Sequence, residues 1–414
     1  MARLFVFAIG GTGSRVLKSL TMLLAAGVKP SSGNFEIVPI IIDPHKASDA
    51  MKQTVQLMDK YQKIAREGKC KNGFFGTTIS TLENIIASEN KLADNFVFNL
   101  QEVSNTKFRD YIEFDQLDEA NRSLVDVLFS GSSINKRHEK IDLLDVEMDI
   151  GFVGNPNIGS VVLNQFKDSD EFREFANNFN EGDRIFIVSS IFGGTGAAGF
   201  PTILKNIRGA KKIKNISSQG FLEDAPIGAI TVLPYFNLEA DEKSPIQRAE
   251  FISKTRSALY YYKNNVSGNN SVNALYYIGD DFSGKPYKND PGDGGQPNDA
   301  HFIELAAALS IIDFLEIPSG DLQSKNGKAV RPIYKEFSIR SNEEIITFSH
   351  LQENVQRKIN VRLAQLALFK KYLNEQMADS CEKSAVQEIR PYDKCASFQT
   401  DIYIKNSDKY QHPI

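Results

Sequence analysis

Gly10-Gly11-Thr12-Gly13-Ser14 follows the apolar run Leu4 to Ile9, and Gly193-Gly194-Thr195-Gly196 follows the apolar run Ile185 to Ser190. Each loop leads into a helical pattern, and the fold is decided by how these two stretches are read. A strand that feeds a glycine turn and a helix start presents free backbone N–H groups and a positive helix end to an anion. One such loop is a weak signal. Two of them suggest a phosphate chain held from two sides, and therefore a nucleotide. The same glycines would also serve a tight strand-to-helix turn that packs through small residues. Thr195 tips the second loop toward phosphate by adding a hydroxyl donor. No Gly-x-x-x-x-Gly-Lys-Ser/Thr pattern occurs, so a lysine-bearing phosphate loop is excluded. Phosphate charge would meet backbone N–H groups, helix ends and a bound Mg²⁺ instead.

Around the first loop the order is strand, glycine loop, helix, strand. Arg15 to Ala26 reads as a helix with Val16, Leu17, Leu20, Leu23 and Leu24 on one side, and Phe35 to Ile42 as a second buried strand ending at Asp43-Pro44. This is a βαβ unit of the kind that builds doubly wound sheets. Residues 50–145 are polar and mostly helical in pattern, and read as an insertion at the sheet edge. Order returns at the glycine-rich turn Gly151 to Ser160, before a helical pattern from Val161 to Phe179. Around the second loop, the strand Ile185 to Ser190 leads to a helix from Ala197 to Ile207. Ile227 to Pro234 and Ala274 to Ile278 read as strands, with the helix Arg248 to Tyr262 between them. Asp299 to Leu315 is apolar around most of its circumference, as expected of a buried central helix. Val330 to Phe348 has room for two strands, and Leu351 to Ala378 is an amphipathic helix.

The expected fold class is α/β: a Rossmann-like, mostly parallel sheet with helices on both faces, a central core helix and a small α+β C-terminal domain. The expected division is a nucleotide-binding domain over 1–298 with a helical insertion at 50–145, a connecting helix over 299–316 and the small domain over 317–414.

The 414 residues are 41% hydrophobic and 24% charged, which is ordinary for a globular protein with a sizeable core. A net charge of −4 argues against direct nucleic-acid binding as the main role. The three cysteines, Cys70, Cys381 and Cys395, are scattered, which fits a reducing, cytoplasmic setting rather than a disulfide framework. The five histidines form no metal motif. No apolar run is long enough for a transmembrane segment.

Taken in order, these motifs resemble the tubulin/FtsZ superfamily, specifically its divergent bacterial tubulin-like members. Phe192-Gly-Gly-Thr-Gly-Ala-Ala-Gly-Phe-Pro201 is similar to the family's glycine-rich signature loop, and Ile9-Gly-Gly-Thr-Gly-Ser14 to its first nucleotide loop. Asp43 falls where the family's second loop has a Thr-Asp pair. Gly154-Asn-Pro-Asn-Ile-Gly159 resembles the Gly-x-Asn-Pro-Glu-x-Gly turn of the division proteins. Pro234-Tyr-Phe-Asn-Leu-Glu239 resembles the ribose-holding Pro-Phe-x-x-Glu turn with one extra residue, and Asn298-Asp299 opens the helix that would lie under the base.

The resemblance implies GTP or GDP with Mg²⁺ as ligand. Gly10, Gly11, Thr12, Gly13, Ser14, Asp43, Asn155, Gly193, Gly194, Thr195, Gly196, Glu239, Asn298 and Asp299 would contact it. It also implies head-to-tail self-association into filaments or oligomers, with room for other protein partners. The family's acidic catalytic loop, of Asn-x-Asp-x-x-Asp type, is replaced by Glu316-Ile-Pro-Ser-Gly-Asp-Leu-Gln-Ser-Lys325, which has no paired carboxylates beyond the helix end. Weak or absent GTP hydrolysis follows, with no catalytic residue assigned; Asp280 and Asp281 are alternative acids. Other uses of the same residues stay open. Asp43 suits a ribose hydroxyl in a dinucleotide fold, or a turn before Pro44. Asn298 and Asp299 suit a helix cap, and His301 suits a hydrogen-bonded core histidine. Two rival functions remain: an NAD(P)-dependent oxidoreductase with a Rossmann domain, and a non-catalytic scaffold stabilised by a fixed nucleotide.

Overall fold

The computed structural model describes residues 1–414 except 32, 47, 69–72, 87–94, 135–138, 153, 214–215, 217–218, 237–247, 281–299, 338–345 and 378–414. Six strands form the main sheet: β1 (Ala2–Ile9), β2 (Phe35–Ile42), β3 (Arg184–Ser190), β4 (Ile227–Val232), β5 (Ala274–Ile278) and β6 (Ile333–Phe337). Their order across the sheet is β2-β1-β3-β4-β5-β6, and every neighbouring pair is parallel. The principal helices are α1 (Gly10–Ala25), α2 (Asp49–Gly68), α3 (Pro156–Leu163), α4 (Asp170–Asn177), α5 (Gly194–Arg208), α6 (Arg248–Tyr262), α7 (Phe302–Glu316) and α8 (Glu353–Tyr372).

A parallel sheet must be covered on both faces, so its strands are apolar throughout. Phe5, Phe7 and Ile9 of β1 point into one core, with residues of α3, α4, α5 and α6. Leu4, Val6 and Ala8 point into the other, with residues of α1, α2, α7 and α8. α7 is apolar nearly all round because it lies between the sheet and its neighbouring helices. Ile303, Ala307, Ala308, Ile311 and Phe314 are fully buried.

Two expectations are revised, and a third falls outside the described residues. Residues 333–337, assigned to a small C-terminal domain, form β6 at the edge of the main sheet, so the sheet extends past residue 317. The second strand expected before Phe348 would fall on residues 338–345, outside those described. The single helix expected over 161–179 is two, α3 and α4. Ser169 starts the second by accepting the Phe172 N–H at 3.1 Å, followed by Asp170 and Glu171 in the first turn.

The 50–145 stretch wraps the outer edge of β2. The Ile37 N–H donates to Thr78 O at 2.9 Å and the Ile41 N–H to Phe96 O at 2.7 Å, which covers edge groups that would otherwise stand open. Met58 and Tyr61 pack on one face, and Phe98, Phe108 and Phe129 on the other. Among the described residues no helix is long and apolar enough to cross a membrane.

Candidate functional site

From β1 the chain moves to β2 on one side, and the remaining strands are added on the other. Open α/β sheets bind ligands outside the carboxyl ends of their strands, where the order reverses. Both glycine loops lie at that point. Gly10 has φ +70°, a conformation glycine adopts without strain, and a Cβ there would sit 3.5 Å from Thr195 Cβ. The loops therefore touch.

Three helices start at this place, and none has a side-chain cap or an acidic residue in its first turn: α1 after Ile9, α5 after Gly193 and α3 after Asn155. A Cβ on Gly194 would come 2.9 Å from Asn155 N and 3.1 Å from Gly154 N, so the second and third starts are in contact. Other helix starts carry a cap or an acid: α8 has no side-chain cap but has Glu353 in its first turn. Ser169 caps α4, and His301 caps α7 with Glu304 in reciprocal position. The uncapped N–H groups and dipole ends converge on one point, which makes it electropositive.

The glycines divide into two kinds. Gly13 and Gly196 face strands: a Cβ on Gly13 would lie 2.6 Å from the Ala8 carbonyl carbon, and one on Gly196 2.4 Å from Ser190 O. Gly11 faces the crevice, where a Cβ would meet only Arg15 Nη1 at 3.6 Å. Ser14 is fully buried; its hydroxyl donates to Gly10 O at 3.4 Å, so it serves the turn. The Thr195 hydroxyl has no hydrogen-bond partner among the described residues.

Asp43 ends β2 beside the first loop, 5% exposed, and accepts the His45 N–H at 3.0 Å. Burial pushes its carboxyl up to about 6, against the pull of the His45 N–H and the Arg15 charge. Glu239, Asn298 and Asp299 lie outside the described residues. The cap of α7 is neither Asn298 nor Asp299: His301 Nδ1 accepts the Ile303 N–H at 3.2 Å. Burial holds the His301 ring below the ordinary imidazole value, although Glu304 and Asp280 pull the other way.

One group of site residues was missed from sequence. Arg15, in the second turn of α1, donates from Nε to Glu304 Oε1 at 2.6 Å and from Nη2 to Tyr235 Oη at 2.9 Å and Thr12 Oγ1 at 3.3 Å. Tyr235 also donates to Glu304 Oε1 at 2.8 Å. Burial alone would lower the Arg15 pKa, but Tyr235 and Glu304 together hold it above the usual guanidinium value. The three residues come from α1, the loop after β4 and the start of α7. Tyr235 lies inside the Pro234 to Glu239 turn and Glu304 on the helix that the Asn298-Asp299 pair was read as opening, so both segments were read while their pairing was not.

Two cavities lie at the opposite, amino end of the strands. One of about 540 Å³ is lined by Arg3, Glu36, Glu181 and Asp183, and one of about 360 Å³ lies between α1 and α7. Neither is lined by glycine-loop residues. Arg3 and Asp183 in the first are already paired at 2.9 Å.

No family model and no curated protein matches the chain. Solved structures do. An FtsZ mutant from M. jannaschii matches at 14% identity and TM-score 0.32, covering 76% of this chain and 55% of that one. A CetZ from Methanosaeta thermophila matches at 13% identity and TM-score 0.31, covering 78% and 58%. CetZ2 from Haloferax volcanii, as a GTPgS-bound protofilament, matches at 13% identity and TM-score 0.34, covering 77% and 59%. The chain thus spans little more than half the length of each. Superpositions this loose equate no residue of the site with any of theirs. The architecture itself is an open, doubly wound α/β fold with its glycine loops at the point of strand reversal.

Proposed function

We propose that this chain is a tubulin-like nucleotide-binding protein that takes GTP or GDP with Mg²⁺ in the crevice between β1 and β3. The observation that carries this reading is the convergence of three uncapped, acid-free helix starts on two touching glycine loops. Backbone N–H groups of Gly10 to Gly13 and Gly194 to Gly196 would hold the phosphates, with Thr12 and Thr195 hydroxyls beside them. Among the described residues no group of three or more His, Cys, Asp or Glu gathers as metal donors. Mg²⁺ would therefore be bound mainly through the phosphates, with Asp43 as its protein carboxylate. The loop after α7 carries Asp321 as a single exposed carboxylate, which supports slow or absent hydrolysis and a filament or oligomer in which nucleotide is a structural ligand.

The oxidoreductase reading is disfavoured by the second glycine loop. The dinucleotide fold carries one glycine loop, after its first strand, whereas here a second, after β3, lies against the first and has no role in such a site. The test is calorimetric titration with GTP, GDP, ATP and NAD, with and without Mg²⁺, on wild type and Gly11→Asp. Gly11 has room for a side chain, and an aspartate suits a helix start, so the variant keeps its fold while placing a carboxylate in the cradle. Selective guanine-nucleotide binding that Gly11→Asp abolishes is the expected result. Binding of NAD alone, or of none, overturns it.

A further inference from the structure

We infer that Arg15 supplies the fixed cation of this site, and that it lets the glycine loops hold a polyphosphate without a divalent metal. The inference rests on the proposed phosphate cradle and adds a residue and a property to it. The guanidinium has five N–H donors. Its Nε and Nη2 donate to Glu304, Tyr235 and Thr12, and these bonds fix the plane of the group. Nη1 makes no hydrogen bond to any described residue. It is the atom nearest Gly11, 3.6 Å from where a Cβ would stand, and so faces the loop that lines the crevice.

The ion pair is 14% exposed at Arg15 and 6% at Glu304. Two partners from different elements hold the charge in place, so little side-chain freedom remains to be lost when an anion arrives. Among the described residues, the lysine on α1 and the one that follows β2 most closely are already engaged. Lys18 donates to Gln53 and Lys46 to Asn99. Glu304 takes the role of a positioning residue: it meets Arg15 on the side away from Gly11 and leaves Nη1 for the ligand. A phosphate oxygen at Nη1 would receive a charge-assisted hydrogen bond in a half-enclosed site.

The probe is inorganic pyrophosphate in excess EDTA, titrated calorimetrically, with guanosine as a phosphate-free control. Wild type is expected to bind pyrophosphate without metal. Arg15→Met alone leaves Glu304 buried without its partner, so the informative variant is Arg15→Met with Glu304→Gln, which removes both charges. It should lose about tenfold or more in pyrophosphate affinity in EDTA, recover most of that with Mg²⁺, and bind guanosine as wild type does. Equal pyrophosphate binding by wild type and this folded variant in EDTA overturns the inference. So does a loss confined to guanosine, which would make Arg15 a base contact. A second variant, Tyr235→Phe, keeps both charges and loosens only the clamp; it should weaken pyrophosphate binding in EDTA without affecting guanosine, and no change there also counts against the inference. If wild type binds nucleotide only with Mg²⁺, the Arg15 inference fails while the nucleotide reading stands. If it binds neither nucleotide nor pyrophosphate, the nucleotide reading fails too.

Discussion

Two arginines bracket α7 and serve opposite ends of it. Arg184, at the amino end of β3, donates to the carbonyls of Phe314 and Leu315 and to the Ser319 hydroxyl. The rings of Phe35 and Phe314 lie against its guanidinium. It completes the last turn of a helix, where the dipole favours a cation, and burial lowers its pKa. Arg15, at the other end, meets a carboxylate and two hydroxyls and keeps one nitrogen turned to the crevice. The bonds of Arg184 all close the fold. Those of Arg15 hold a charge beside three helix starts that have no side-chain cap. An arginine bonded to backbone carbonyls reads as structural, and one clamped beside uncapped helix starts reads as part of a site.

The comparison breaks most visibly on stability. Arg15→Met alone should cost about 3–5 kcal/mol, the usual penalty for leaving one charge of a buried pair behind, and adding Glu304→Gln should return most of it in urea melts. Arg184→Met should cost less, about 1–3 kcal/mol, because carbonyls rather than a charge lose their partner. Nucleotide affinity should not change in Arg184→Met. A larger loss there than at Arg15 would reverse the assignment of the two residues.

Asp43 sharpens the same contrast through pH. Its folded pKa is raised, so the folded chain holds a proton that the unfolded chain releases between about 3.8 and about 6. Its contribution to stability is fully present below that window, declines as pH rises through it, and stays absent above about 6. Asp43→Asn should therefore stabilise the ligand-free protein at pH 8 by on the order of 2–3 kcal/mol, and the gain should vanish near pH 4. Denaturant melts of both proteins at the two pH values would show it. An equal difference at both would mean the carboxyl is not raised by burial.

The first five strands and both glycine loops were legible because their signals are local: apolar runs of five to eight residues, with β1 leading into the first loop and β3 into the second. The start of α1 was set at Arg15, five residues late. Glycine is a poor helix former, and only the packing of Gly13 on Ala8 shows why the helix begins at Gly10. β6 was seen as a strand but not as part of the main sheet, since parallel pairing joins segments far apart in sequence. The Arg15, Tyr235 and Glu304 group was hidden for the same reason: 220 residues separate the first two. Each alone looks like an ordinary helix or loop residue, and only the topology brings them together.

The strand order has a consequence for how the chain is made. After β1 and β2, each new strand joins the same growing edge in the order in which it is synthesised: β3, β4, β5, β6. A ribosome delivering about 5–20 residues each second would present every strand to a template already in place. α7 emerges before β6, so the helix that seals one face reaches the sheet ahead of its last strand. That strand carries exposed Lys335 and Glu336, charges that discourage a neighbouring chain from continuing the pattern.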